Sequence, residues 1–207
     1  MQNVPNILSA SRIAATVLIF ILILLDQTWS FQVATVLFFF ASVTDVLDGY
    51  LARKYSLVSP LGVFLDLTSD KIFVASVLIA LVQLGLAPAW IAFIIITREF
   101  LVQGLRTIAT AKGKIIPAGR WGKQKTFITL LGTGGVLLAK SLEGQRLSLF
   151  PPRLNFAQPL YLGDYLLLTA DILLVLAVIW TVLSGAEYVI GALPLLRGEP
   201  KDDALKP

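Results

Sequence analysis

Four aspartates, Asp45, Asp48, Asp66 and Asp70, are the residues of this 207-residue chain best equipped for chemistry. The first two stand at i, i+3 and the last two at i, i+4, so on helices each pair shares one face. Both pairs lie in or beside apolar stretches, where a charged side chain is costly and is read first as functional. About ten residues separate the two stretches, which predicts neighbouring antiparallel helices with the carboxylates converging. Four converging carboxylates repel one another strongly at low dielectric. Lys71 and Arg53 are close in sequence, but two cations do not balance four anions. One or two divalent ions would. The chain has no histidine and no cysteine, which excludes zinc sites built on them, disulfides and imidazole as a base. Oxygen ligands alone suit Mg²⁺, Mn²⁺ or Ca²⁺. A two-ion site suits displacement at phosphorus, because it can hold both attacking and leaving oxygens. Two alternatives stay open on these residues: a set of buried ion pairs, and an acid-lined path for ions. Gly49, Ala52 and Gly62 leave room beside the acids for a ligand, or for close helix packing.

The elements that must position these acids are apolar and long. The chain is 57% hydrophobic and 14% charged, with a mean hydropathy of +0.82, whereas soluble domains are about a quarter charged. Six apolar segments, 7–25, 33–46, 61–86, 89–107, 127–139 and 165–183, predict an all-α integral membrane bundle of six transmembrane helices in a single domain, 1–207. The second and fifth are short. They reach full length if the helices continue into the polar motif and begin near Gly122. The connections are 26–32, 49–60, a kink at Ala87-Pro88, 108–125, and a loop 140–164 interrupted by Pro151, Pro152 and Pro159. Residues 195–207 are expected to be a flexible cytoplasmic tail. No cleavage site follows the first apolar run, so it is not read as a signal peptide. One side of the bundle would hold twelve cations: Arg12, Arg53, Lys54, Arg106, Lys112, Lys114, Arg120, Lys123, Lys125, Arg197, Lys201 and Lys206. The other would hold three, Lys140, Arg146 and Arg153. The positive-inside rule puts both termini in the cytoplasm of a cell (inner) membrane protein. Trp29 and Trp90 fall at the opposite ends of spans, as interfacial anchors do. The net charge of +4 is read as attraction to anionic lipid or a phosphorylated substrate rather than to nucleic acid.

Read in order, these residues give Asp45-x-x-Asp48-Gly49-x-x-Ala52-Arg53, eight residues, then Gly62-x-x-x-Asp66-x-x-x-Asp70. This resembles the full signature of the CDP-alcohol phosphatidyltransferase family. All eight positions match, and at about 5% per residue type the chance is roughly 10⁻¹⁰ per start position. The family core is also six spans, so the resemblance covers most of the chain. It implies that Asp45, Asp48, Asp66 and Asp70 hold one or two Mg²⁺ or Mn²⁺ ions, and that Asp70 is the general base for the acceptor hydroxyl. It further implies that Gly49, Ala52 and Arg53 form part of the pocket for the cytidine and its phosphates, with Gly62 leaving room for the nucleotide. CDP-diacylglycerol as donor is an implication of the resemblance alone.

Two further stretches resemble the bacterial phosphatidylglycerophosphate synthase subgroup. One is Pro5-Asn6-Ile7-Leu8-Ser9-Ala10-Ser11-Arg12, where the subgroup often has Thr at the place of Ser9. The other runs from Thr97-Arg98-Glu99-Phe100 through Gln103 and Arg106 to Gly113-Lys114 and Arg120-Trp121-Gly122-Lys123-Gln124-Lys125-Thr126. The subgroup often has Ser for Gln103 and Lys for Arg120. The implied acceptor is glycerol 3-phosphate. Charge agrees: Arg106, Lys112, Lys114, Arg120, Lys123 and Lys125 crowd one loop region, and an acceptor phosphate needs such partners. Topology and lipid attraction would also explain them. Among them Arg106, Arg120, Lys123 and Lys125 are the candidate acceptor-binding residues. Arg98 and Arg106 are eight apart and can face one side, or Arg98-Glu99 can be a buried pair. Gly132, Gly134 and Gly135 suggest close helix contact, for which a homodimer interface is one setting, and a homodimer is the expected assembly. Asp171 and Glu187 lie near the last span, outside the signature. The expected reaction is transfer of the phosphatidyl group to glycerol 3-phosphate, giving phosphatidylglycerophosphate and CMP. The rivals are other acceptors within the family (cardiolipin, phosphatidylinositol-phosphate or phosphatidylserine synthesis) and, from another class, a divalent-cation transporter.

Overall fold

The computed structural model describes residues 4–54, 60–113, 120–142 and 162–197; for 4–10, 45–54, 60–67, 120, 123 and 194–197 only the helical course of the backbone is described. Six helices make up these residues: α1 (Val4–Leu24), α2 (Thr28–Lys54), α3 (Pro60–Gln83), α4 (Ala89–Ala111), α5 (Arg120–Ser141) and α6 (Leu162–Arg197). There is no strand among the described residues. At 1.5 Å per residue each helix is about 30 Å or longer.

Helix ends follow local chemistry. Between α3 and α4 the chain makes a turn rather than a kink. Gly85 adopts φ +69°, a left-handed conformation that favours glycine, and Pro88 opens α4 from an extended conformation. Gly113, at φ +68°, ends α4 in the same way. The helices outrun the apolar segments that announce them: α2 continues through the polar motif to Lys54, α5 begins at Arg120, and α6 passes Pro194 to Arg197. Hydropathy marks the apolar middle of a helix and misses its polar turns. Residues 195–197 of the expected tail are helical, while 198–207, Lys114, Arg146, Arg153 and the prolines of 151–159 lie outside the described residues.

The helices close a ring. α1 packs on α2, α2 on α5, α5 on α6, α6 on α4, α4 on α3 and α3 on α1, while α3 also touches α5 across the middle. The core contains Ile19, Ile23, Phe31, Phe38, Leu78, Leu81, Ile91, Leu137 and Leu174, all nearly inaccessible. Glycines set the closest approaches. A Cβ on Gly132 would lie 2.9 Å from Leu174, one on Gly135 2.9 Å from the Cβ of Ala170, and one on Gly134 2.9 Å from Phe38. These three glycines therefore bring α5 against α6 and α2 within one chain.

The outer surface is also apolar. Val36, Phe40, Phe93, Phe100, Phe127 and Ile190 are each about two-thirds exposed. Apolar surface on this scale marks contact with a membrane or a partner. Among the described residues one stretch, Leu162–Leu193, is long and apolar enough to cross a membrane by itself. Ser11–Leu24 and Thr28–Thr44 are shorter apolar stretches. Hydroxyls on the helices bond inward: Thr16, Thr35, Thr129, Thr133 and Thr169 each donate to the carbonyl four residues back, at 2.7–2.9 Å. Such back-bonding satisfies a hydroxyl without water.

Candidate active site

The four aspartates lie on two coupled helices, Asp45 and Asp48 near the end of α2 and Asp66 and Asp70 near the start of α3. Phe38 of α2 stacks on Phe73 of α3, ring centroids 5.1 Å apart. Lys54 and Pro60, which end and begin these helices, are six residues apart in the chain, a gap that bridges only about 20 Å. With the rings in contact, parallel helices would separate those ends by about 40 Å, so α2 and α3 run antiparallel. Asp45 follows Phe38 by seven residues and Asp66 precedes Phe73 by seven, about 10 Å along either axis. The register thus brings both residues to one level, at the same end of the bundle. Carboxylates at i, i+3 and i, i+4 on two helices at one level are of the kind that suits a hard divalent cation. Of the four, Asp70 is the one whose side chain is described, and no group of three metal-ligating residues gathers among the described side chains. Gly49, Ala52 and Arg53 lie on the last turns of α2, Gly62 on the first of α3, and Arg120 and Lys123 on the first of α5, each known by backbone position alone.

Asp70 opens onto a cleft of about 390 Å³ between α3, α4, α5 and α6. Lys71, Arg98, Glu99, Gln103, Arg106, Lys125 and Tyr188 share its walls. Four basic and two acidic side chains give the lining a formal net charge of +2. The polar groups form one connected set. The Glu99 carboxylate accepts from Arg98 Nη1 at 3.3 Å and from the Lys125 ammonium. Arg98 Nη2 donates to Ser184 Oγ at 2.9 Å, and Arg106 Nη2 donates to the Tyr188 hydroxyl. The Lys125 side chain is 5% exposed. Burial disfavours its charge most, Arg98 and Lys71 add to that, and Asp70 opposes it only in part. The Nε–H groups of Arg98 and Arg106 are buried and have no hydrogen-bond partner among the described residues. An unsatisfied buried donor costs about 1–3 kcal/mol, a cost that an anion entering the cleft would relieve.

Of the four candidate acceptor-binding cations, Arg106 and Lys125 meet Asp70 in this cleft. Lys112 is exposed at the C-cap of α4, outside the lining. The eight-residue spacing of Arg98 and Arg106 does turn both to one side, and Arg98 is paired with Glu99 as well. Arg12, counted in sequence as a cytoplasmic cation, is buried between α1 and α3 and donates to Ser69 Oγ at 3.4 Å, next to Asp70. Asp171 is fully buried in α6. Sequence reasoning missed Tyr188 and Ser184. The signal was present: Thr181, Ser184, Gly185 and Tyr188 follow i, i+3, i+4, i+7, a single helical face.

Known proteins resemble this chain over most of its length. The family model described as CDP-alcohol phosphatidyltransferase matches residues 2–183. A Bacillus subtilis (strain 168) protein named CDP-diacylglycerol--glycerol-3-phosphate 3-phosphatidyltransferase is 38% identical over 200 residues, covering 91% of this chain and 94% of its own. A Rickettsia typhi protein of the same name is 30% identical over 188 residues, covering 91% and 96%. A Mycobacterium tuberculosis (strain H37Rv) protein named probable phosphatidylglycerophosphate synthase is 34% identical over 202 residues, covering 96% and 85%.

Proposed function

The chain belongs to the CDP-alcohol phosphatidyltransferase family, and on that premise we propose that it transfers the phosphatidyl group of CDP-diacylglycerol to glycerol 3-phosphate. The observation that carries the acceptor is the cleft beside Asp70, with Arg98, Arg106 and Lys125 around it and a net lining charge of +2. A phosphate monoester carries about −1.5 to −2 at neutral pH, so the two match. The relatives' names point to the same acceptor.

In this reading Arg98, Arg106 and Lys125 bind the acceptor phosphate and direct its free hydroxyl toward Asp70. Asp70 takes the hydroxyl proton. The oxygen attacks the phosphorus bonded to diacylglycerol, the bond to the CMP oxygen breaks, and CMP leaves with that electron pair. The products are phosphatidylglycerophosphate and CMP. Asp45, Asp48, Asp66 and Asp70 would hold Mg²⁺ or Mn²⁺, which supplies charge neutralisation at the phosphate oxygens. Gly49, Ala52, Arg53 and Gly62 would border the nucleotide, and Arg120 and Lys123 would add cations to the mouth.

The enzyme works at a membrane in this reading, with lipid against the exposed apolar side chains of the six helices, each helix a span, and the cleft facing the cytoplasm. A homodimer is part of the same expectation. The test is CMP release by the purified protein from CDP-diacylglycerol with a panel of acceptors: glycerol 3-phosphate, glycerol, serine, inositol phosphate and phosphatidylglycerol. Release with glycerol 3-phosphate alone, abolished by EDTA and restored by Mg²⁺ or Mn²⁺, is expected. Release with another acceptor would reassign the activity within the family, and divalent-ion flux without CMP release would favour a transporter.

A further inference from the structure

The family match ends at residue 183, but α6 continues to Arg197. One face of this extension carries Ser184, Gly185 and Tyr188, and that face seats the arginines of α4. Ser184 Oγ accepts from Arg98, and a Cβ on Gly185 would lie 3.1 Å from Arg98 Cγ, so this side chain lies close against the α6 backbone. Tyr188 is 3% exposed. Its hydroxyl accepts from Arg106, and its ring lies 5.0 Å from the Arg106 guanidinium carbon and 5.5 Å from that of Arg98.

Two guanidiniums on one ring repel each other. A carboxylate between them would hold them by cancelling their charge, as Glu99 does in part for Arg98 and Lys125. A phenol does something different. It offers a π face to both cations and a lone pair to one, with no carboxylate to cancel their charge. The positive charge is gathered and left available. This is how an anion receptor differs from a structural ion pair.

We propose that Tyr188 is a positioning residue for acceptor selectivity: it holds Arg98 and Arg106 together so that they grip the acceptor's phosphate. The proposal rests on the reading of the cleft as the acceptor site. It also locates acceptor choice partly beyond the family-matched span, in the last third of α6.

The test uses the full-length protein, its Tyr188→Phe variant, which keeps the ring and loses the hydroxyl, and its Tyr188→Leu variant, which loses both. Binding is read first, as the rise in thermal unfolding temperature with glycerol 3-phosphate and with inorganic phosphate. Affinity for both should fall about tenfold in Tyr188→Phe, the scale of a lost hydrogen bond to a charged group, and further in Tyr188→Leu. In turnover, KM for glycerol 3-phosphate should rise in parallel while KM for CDP-diacylglycerol stays unchanged. On an Arg106→Ala background, Tyr188→Phe should add little. Unchanged phosphate affinity in a folded Tyr188→Phe variant would overturn the proposal, as would equal losses for both substrates. Should the unaltered protein bind phosphate but turn over a different acceptor, the assignment of glycerol 3-phosphate fails, and the phosphate-binding comparison still decides the role of Tyr188.

Discussion

Asp70 occupies a position with two demands on it. It belongs to the acid set of α2 and α3, and it also lines the cationic cleft with Lys71, Arg106 and Lys125. In the proposed reading these are a metal site and an acceptor site, and a residue shared by both is well placed to take the acceptor's proton. Asp70→Asn keeps the size and removes the base. Turnover is expected to fall by at least about 10²–10⁴, with the unfolding temperature in detergent little changed. Near-normal turnover would move the base elsewhere. Arg106→Ala and Lys125→Ala each remove a charge-assisted contact of about 1.5–3 kcal/mol, or about 10–150-fold. Steady-state kinetics with one substrate varied at a time should show this loss against glycerol 3-phosphate and not against CDP-diacylglycerol. The helical placement of the acids was legible, because aspartates at i, i+3 and i, i+4 beside apolar sequence fit one helix face each. Tyr188 was missed although it shares a helical face with Thr181, Ser184 and Gly185, because that face gains a meaning only once α4 is known to pack its arginines against it.

At the scale of elements, the number of helices could be read from apolar segments, and so could the extension of α2 into the polar motif and of α5 to near Gly122, whereas the extension of α6 could not. The polar turns of α2, α5 and α6 extend beyond those segments, and they are the turns that hold Asp48, Lys125 and Tyr188. The glycines of α5 suggested contact without naming the partner. The contact is internal, against Leu174, Phe38 and Ala170. Gly132→Ala would put a Cβ 2.9 Å from a Leu174 side-chain carbon and 3.2 Å from its backbone nitrogen, so α5 must move back from α6. Overpacking of this kind costs about 1–3 kcal/mol. Gly104 on α4 is exposed, and a Cβ added there would meet nothing within 4 Å. Gly104→Ala should therefore stabilise the helix by up to about 1 kcal/mol. Thermal unfolding of the two variants in detergent should shift in opposite directions. Equal shifts would mean that the α5–α6 contact does not depend on Gly132.

For the whole molecule, the closing contact between α3 and α5 divides the ring into two halves. The cleft lies in the half formed by α3, α4, α5 and α6, and α2 borders the other. No sequence pattern announces this division, because it depends on which helices pass one another in space. Asp70 is on the shared helix α3, and in the proposed reading the acceptor approaches it from the cleft. The cation asymmetry of twelve against three predicts which end faces the cytoplasm. The chain has no cysteine, so single cysteines placed at Gln2 or Lys206 report without background. Impermeant maleimide should label neither in intact cells and both after permeabilisation, and labelling from outside would invert the topology. Isotope transfer bears most directly on the central claim. Purified protein, CDP-diacylglycerol, Mg²⁺ and glycerol 3-phosphate labelled in its glycerol carbons should move label into the lipid phase, one mole for each mole of CMP released, and the Asp70→Asn variant should move almost none. CMP release with no label in lipid, or equal transfer by Asp70→Asn, would contradict it.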